Sequence, residues 1–260
     1  MANKQSNPKP RSYLNRKINQ RATIPKFLIV CEGEKTEPNY FKKFPVSTRP
    51  DIMDLDIEGV GKTSLSLVQE TERLKKEKEK GYYDQVWCVF DRDFKNENFN
   101  AQNFNSAIAL AKQKKFQIAY SNDAFELWYI LHFEYYESAT HRADYKKLLE
   151  DKKRLGHKYK KNSETMYKEL EDKQHRAIQH AKRLLENYDN DSSMIGNNNP
   201  STTVHLLVEE LNKAIQNNNP SKDIQFPTSD LRIWMLYLVI ISNANISNAK
   251  RYLLLCLIEG

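Results

Sequence analysis

The chain has 260 residues, with 41 Lys and Arg against 34 Asp and Glu, 39% hydrophobic content, three cysteines and seven glycines. That is long enough to bury a core without disulfides or structural metals, and the composition excludes collagen-like, mucin-like and disulfide-scaffold proteins. Cys31, Cys88 and Cys256 are odd in number and far apart, with no CxxC pair, so neither a secreted disulfide framework nor a zinc ribbon is expected and a reducing cytoplasm is the expected location.

The net charge of +7 is local. Residues 1–26 hold Lys4, Lys9, Arg11, Arg16, Lys17, Arg21 and Lys26 and no acid, which leaves the remainder of the chain balanced. This stretch is rich in Asn, Gln and Pro and lacks an apolar signal-peptide core, so it reads as a disordered basic arm, either a plain solvated tail or a contact for phosphates.

Phe27 to Cys31 is a continuous apolar run, the pattern of a strand buried on both faces. It leads into Glu32-Gly33-Glu34-Lys35-Thr36-Glu37-Pro38, where Thr36 as N-cap and Pro38 in the first turn predict a helix through Phe44. A weak strand is expected over 52–57 and a helix over 63–80, ended by Gly81. Val86 to Phe90 is a second buried-type strand, with Asp91-Arg92-Asp93 at its carboxyl end. A helix over 104–115, a strand over 116–120 and an apolar helix over 124–133 complete an α/β domain with a mainly parallel sheet flanked by helices, residues 27–135. Ligands of such sheets sit at the strand carboxyl ends.

From His141 to Arg183 the chain is charged and is expected to be helical, with fourteen Lys and Arg against seven Asp and Glu. It reads equally as a solvated surface or as a nucleic-acid face, with Lys152, Lys153, Arg154, Lys158 and Lys161 as candidate phosphate contacts. Residues 136–214 are taken as completing the domain, with a loop at 197–200 and a helix beginning after Thr202 or Thr203. Residues 215–260 form a linker and an apolar tail of unassigned role. Its runs at 231–241 and 253–258 are too short to span a membrane. No membrane association is expected.

Gly59-Val60-Gly61-Lys62-Thr63-Ser64 suggests a phosphate loop, but the motif's first glycine would fall at Asp56, so a turn into the next helix is the better reading. The carboxylates carry more weight. Glu32 follows one buried strand and Asp91 and Asp93 follow another, and neighbouring parallel strands bring such ends together. Residues two apart on an extended segment share a face, so Asp91 and Asp93 can converge on one cation. Hard oxygen ligands suit Mg2+ or Mn2+. Glu126 either faces solvent or joins the same cleft, which is favoured. His132 reads as a core residue, and the aromatics Phe94, Phe125 and Trp128 as core rather than base-stacking groups. The other histidines lack zinc-ligand spacing.

The stretch Phe27 to Phe41 with its Cys-Glu-Gly-Glu-Lys-Thr-Glu-Pro core, the strand end Val89-Phe90-Asp91-Arg92-Asp93, and Ser121-Asn122 followed by Phe125-Glu126-Leu127-Trp128 and Leu131-His132-Phe133 resemble the RloB family. Tyr159-Lys160 and Asn199-Pro200-Ser201-Thr202 are similar to it as well, and the likeness covers about residues 24–214. Members are bacterial proteins with a Toprim-like domain, often encoded beside an ABC/AAA-type ATPase in restriction and abortive phage-defence loci.

The resemblance implies a Toprim fold in which Glu32, Asp91 and Asp93 bind Mg2+ or Mn2+, with Glu126 a further acidic ligand. It also implies a second acid in the first turn, Glu37 or Glu34, and a transition-state lysine, Lys160. The function implied is metal-dependent phosphodiester hydrolysis of DNA or RNA, transfer RNA among the candidates, in anti-phage defence with an ATPase partner; a homo-oligomer is open. The rival expectation is a non-catalytic Toprim-like sensor or scaffold subunit of an ATPase complex, consistent with the apolar tail and the lack of a phosphate loop.

Overall fold

The computed structural model describes residues 24–45, 50, 52–77, 83–92, 97–188 and 195–217. The chain divides into units at 1–218 and 219–260, and the described residues all fall in the first. The expected basic arm, apart from its last three residues, and the apolar tail with Cys256 lie outside the described residues, as do Asp93 and Phe94.

Five strands form one sheet: β1 (Lys26–Cys31), β2 (Asp54–Gly59), β3 (Gln85–Asp91), β4 (Gln117–Asn122) and the short β5 (Ser201–Thr202). Their order is β2-β1-β3-β4-β5, parallel except that β5 runs against β4. The connecting helices are α1 (Thr36–Phe41), α2 (Ser64–Glu77), α3 (Glu97–Gln113) and α4 (Glu126–Leu131). They are followed by α5 (Arg142–Leu149), α6 (Met166–Leu170), α7 (Gln174–Glu186) and α8 (Val204–Asn217). The fold is thus the expected α/β sheet flanked by helices. Among the described residues no helix is long and apolar enough to cross a membrane.

The uninterrupted apolar runs of β1 and β3 are explained by cover on both faces. Phe27, Ile29, Cys31, Trp87 and Val89 join one cluster with α1, α4, α7 and α8, while Leu28, Val30, Val86, Cys88 and Phe90 join another with α2 and α3. The first cluster contains both Phe27 and Leu211, so the region after residue 135 packs into the same body as the sheet. Cys31 and Cys88 are buried free thiols.

Four local expectations shift. The helix expected over 104–115 begins seven residues earlier and spans Glu97–Gln113. Thr36 is the first helical residue rather than a cap, and its hydroxyl donates to Asn162 Oδ1; Lys35 stands at the cap, where an ammonium with no acceptor makes no side-chain bond to the helix. The strand expected at 52–57 runs two residues later. The basic region is not continuously helical: between α5 and α6, residues 150–165 form turns and coil, which Gly156 helps by adopting a φ of +69°.

Candidate active site

The strand order places a crossover point between β1 and β3. From β1 the chain turns to β2 on one side and then passes to β3 on the other. This is where an open parallel sheet leaves a crevice at its carboxyl edge. Cys31 registers with Val89, so Glu32, the residue after β1, stands beside the end of β3. Its main-chain N–H continues the ladder to the Val89 carbonyl at 2.8 Å, and its Oε2 accepts from the Asp91 N–H at 3.1 Å.

The Glu32 carboxylate also lies 3.3 Å from the Ser64 hydroxyl, which is 3.4 Å from the Asp91 carbonyl. Ser64 is delivered by the glycine loop before α2. A side chain at Gly59 would come within 2.7 Å of the Gly33 and Glu34 carbonyl oxygens, so only glycine lets this loop lie against the turn after β1. The segment that imitated a phosphate loop therefore buttresses the acidic turn.

Glu37, the second residue of α1, is 5% exposed, whereas Glu34 is exposed at the rim. Of the two alternatives for the second acid, Glu37 is the one buried with the others. Gly33 makes room for it: a Cβ there would sit 2.2 Å from Glu37 Oε2. Glu126 opens α4, is 8% exposed, and accepts from the Tyr159 hydroxyl at 3.0 Å. Glu32, Glu37, Asp91 and Glu126 line one cavity of about 410 Å3, together with Gly33, Glu34, Lys35, Thr36, Phe125, Arg142, Lys161 and Asn162.

In this partly dry pocket Glu32, Glu37 and Asp91 are each harder to ionise than a free carboxylate. Burial, with the backbone and Ser64 hydrogen bonds opposing it and the Glu37 charge adding to it, raises the Glu32 carboxyl to about 7. Burial also raises Asp91 well above the usual carboxylate range, with Glu37, Glu32 and Glu126 adding to the effect. Glu37 is raised by burial and by Glu126, against the N–H groups of Glu37 and Gly33 and the charge of Lys161.

Three cations line the cavity with the acids: Lys35 in the turn after β1, Arg142 and Lys161. Arg142, the first residue of α5, has Nη2 4.0 Å from Asp91 Oδ2, and its backbone N–H donates to Asp123 Oδ2 at 2.7 Å. Lys161 lies in the cavity wall. The lysine expected in this role, Lys160, lines a neighbouring depression with residues 161–165 rather than the acidic cavity. Nothing in sequence distinguished Arg142, since it is one of many basic residues in its region.

Carboxylates on adjacent strand ends are of the type that hard divalent cations take, and burial raises the affinity of Glu32 and Asp91 for a positive charge. Among the described residues, however, no group of three or more His, Cys, Asp or Glu side chains stands ready to hold a metal ion. The second aspartate of the Asp-x-Asp pair lies outside the described residues.

The other candidates are placed as follows. Lys152, Lys153 and Lys158 are exposed. Arg154 is engaged internally, with Nε donating to Glu134 Oε1 at 2.9 Å and Nη1 to the Leu148 carbonyl at 2.6 Å. His132 is fully buried with Nδ1 2.8 Å from the Trp128 carbonyl, and burial lowers its pKa to about 4. Phe125 and Trp128 are core residues, 1% and 0% exposed.

The family of RloB-like proteins matches residues 27–211. The chain belongs to the RloB family. The matched region begins at β1 and ends in α8, so it contains all the acids and all three cations that line the cavity. No curated protein and no solved structure matches the chain.

Proposed function

We propose that this RloB-family chain is a Mg2+- or Mn2+-dependent phosphodiesterase that cuts nucleic acid in bacterial anti-phage defence, working with an ABC/AAA-type ATPase. The observation that carries the reading is the convergence of Glu32 and Glu37 from the β1–α1 segment, Asp91 from the end of β3 and Glu126 from the start of α4 on a cavity also lined by Arg142 and Lys161. Such an arrangement suits a metal ion and a phosphate together.

Glu32 and Asp91 would hold the metal with Asp93, and Glu126 and Glu37 would complete or orient the ligand set. A bound metal would polarise the phosphoryl oxygen and lower the pKa of an attacking water. Arg142 and Lys161 hold non-bridging phosphate oxygens and offset the charge that develops on them. Ser64 fixes the Glu32 carboxylate on the side facing Asp91. Lys152, Lys153 and Lys158 extend the positive surface for the flanking backbone.

Purified protein, with and without the ATPase, incubated with plasmid, single-stranded DNA and total bacterial RNA tests this. Cleavage that needs the metal and stops in Asp91→Ala is the expected result, and the substrate cut names the target. The alternative reading is a non-catalytic sensor or scaffold subunit of an ATPase complex. It predicts a stable complex with the ATPase and no cleavage of any substrate.

A further inference from the structure

The coil between α5 and α6 touches the acidic cavity without belonging to the sheet that builds it. Tyr159 is 5% exposed; its ring meets Tyr129 edge-on at 6.3 Å, its N–H donates to Glu150 Oε1 at 3.1 Å, and its hydroxyl donates to Glu126 Oε1 at 3.0 Å. Asn162 is fastened elsewhere. Its carbonyl accepts from Asn39 Nδ2 at 3.0 Å and its side-chain oxygen accepts from the Thr36 hydroxyl at 3.2 Å, while Glu164 pairs with Lys43 at 3.7 Å.

One fastening is thus on α4, which carries Glu126, and the other on α1 and its end, which carries Glu37. Both helices are only six residues long, and neither has a side-chain cap. Their own hydrogen bonds therefore give little control over where the two carboxylates stand. Lys161 lies between the fastenings, in the cavity wall. A buried tyrosine hydroxyl needs a partner, and here the partner is a carboxylate of the site.

We propose that residues 156–165 form a strap that sets the geometry of the cavity: Tyr159 is the positioning residue for Glu126, and Asn162 pins the segment that presents Lys161. The strap rests on the phosphodiesterase reading for what these groups do, but not for whether it holds them. It can therefore be tested in the full chain without metal.

Carboxyl-labelled glutamate gives a carbon resonance for Glu126, identified by its disappearance in Glu126→Gln. In Tyr159→Phe this resonance shifts while the melting temperature stays close to that of the parent. Tyr188→Phe, which removes a hydroxyl bonded to the Pro200 carbonyl, leaves it in place. In Asn162→Ala, trypsin cuts after Lys160 or Lys161 about fivefold faster, the effect of one lost hydrogen bond on strap opening. An unmoved Glu126 resonance in Tyr159→Phe overturns the positioning role, and an unchanged cutting rate in Asn162→Ala overturns the strap. In parallel, Mn2+ titration should show several-fold weaker binding in Tyr159→Phe. Absence of Mn2+ binding by the parent chain would sink the metal reading, while resonance and cutting rate still decide the strap.

Discussion

The Asp91 main-chain N–H donates to the Glu32 carboxylate at 3.1 Å, so an acid after one central strand is held against the acid that ends its neighbour. Two carboxylates brought together in this way, and largely removed from water, are a standing electrostatic cost to the metal-free protein. The cost has a direct consequence for pH.

Glu32 has its folded-state pKa raised from 4.5 to about 7. The native state therefore holds a proton that the unfolded state has released, and the metal-free fold loses stability as pH rises from about 4.5 to 7. A cation held by Glu32 would displace that proton, so its binding would tighten with pH. Thermal melts with and without Mn2+ should show a larger stabilisation at pH 8 than at pH 6, and Glu32→Gln should flatten the difference. Equal stabilisation at both pH values would count against Glu32 as a ligand.

Lys161 and Lys160 are neighbours in sequence with different surroundings, since only Lys161 lines the acidic cavity. Loss of a charge partner of the transition state typically costs ~10²-fold in kcat. Lys161→Ala and Arg142→Ala should each approach that loss, with Lys160→Ala much milder. A larger loss in Lys160→Ala than in Lys161→Ala reverses this assignment.

Gly33→Ala places a methyl where the Glu37 carboxylate lies, 2.2 Å from Oε2. The carboxylate is the end of a flexible side chain, so it moves and the fold remains. The expected outcome is a melting temperature lowered by less than about 4 °C and a marked loss of Mn2+ binding. Parent-like metal affinity in a folded Gly33→Ala protein would remove Glu37 from the site.

The exposed lysines act, on this account, through the substrate backbone. Replacing Lys152, Lys153 and Lys158 with alanine should weaken binding without altering the cut position, and should reduce the salt slope of log K by up to about 2–3 units for three phosphate contacts. Arg154 is left out of this set because it bonds Glu134 and the Leu148 carbonyl, and its removal would loosen the turn after α5. An unchanged salt slope would return these lysines to a solvated surface.

How much of this was legible in sequence follows from the range of the interactions. β1 and β3 announce themselves because both faces are covered, leaving unbroken apolar runs, and Glu32 and Asp91 are placed by strand ends alone. The choice of Glu37 over Glu34 was not legible, since it depends on the close approach Gly33 allows. Arg142 and Asn162 reach the cavity through contacts with residues far off in sequence, Asp123 and Thr36, that leave no periodicity behind. Thr36 looked like a cap because its type fits one, but a long-range partner took its hydroxyl.

The most direct test of the metal-dependent phosphodiesterase is a single sample in which Mn2+ occupancy and the cleavage rate of DNA or RNA are followed together, in the presence of the ATPase. The account predicts that the rate follows occupancy, that EDTA abolishes both reversibly, and that Asp91→Ala loses both while remaining folded. Cleavage that persists in EDTA or in Asp91→Ala, or full Mn2+ occupancy with no cleavage of any substrate, would contradict it.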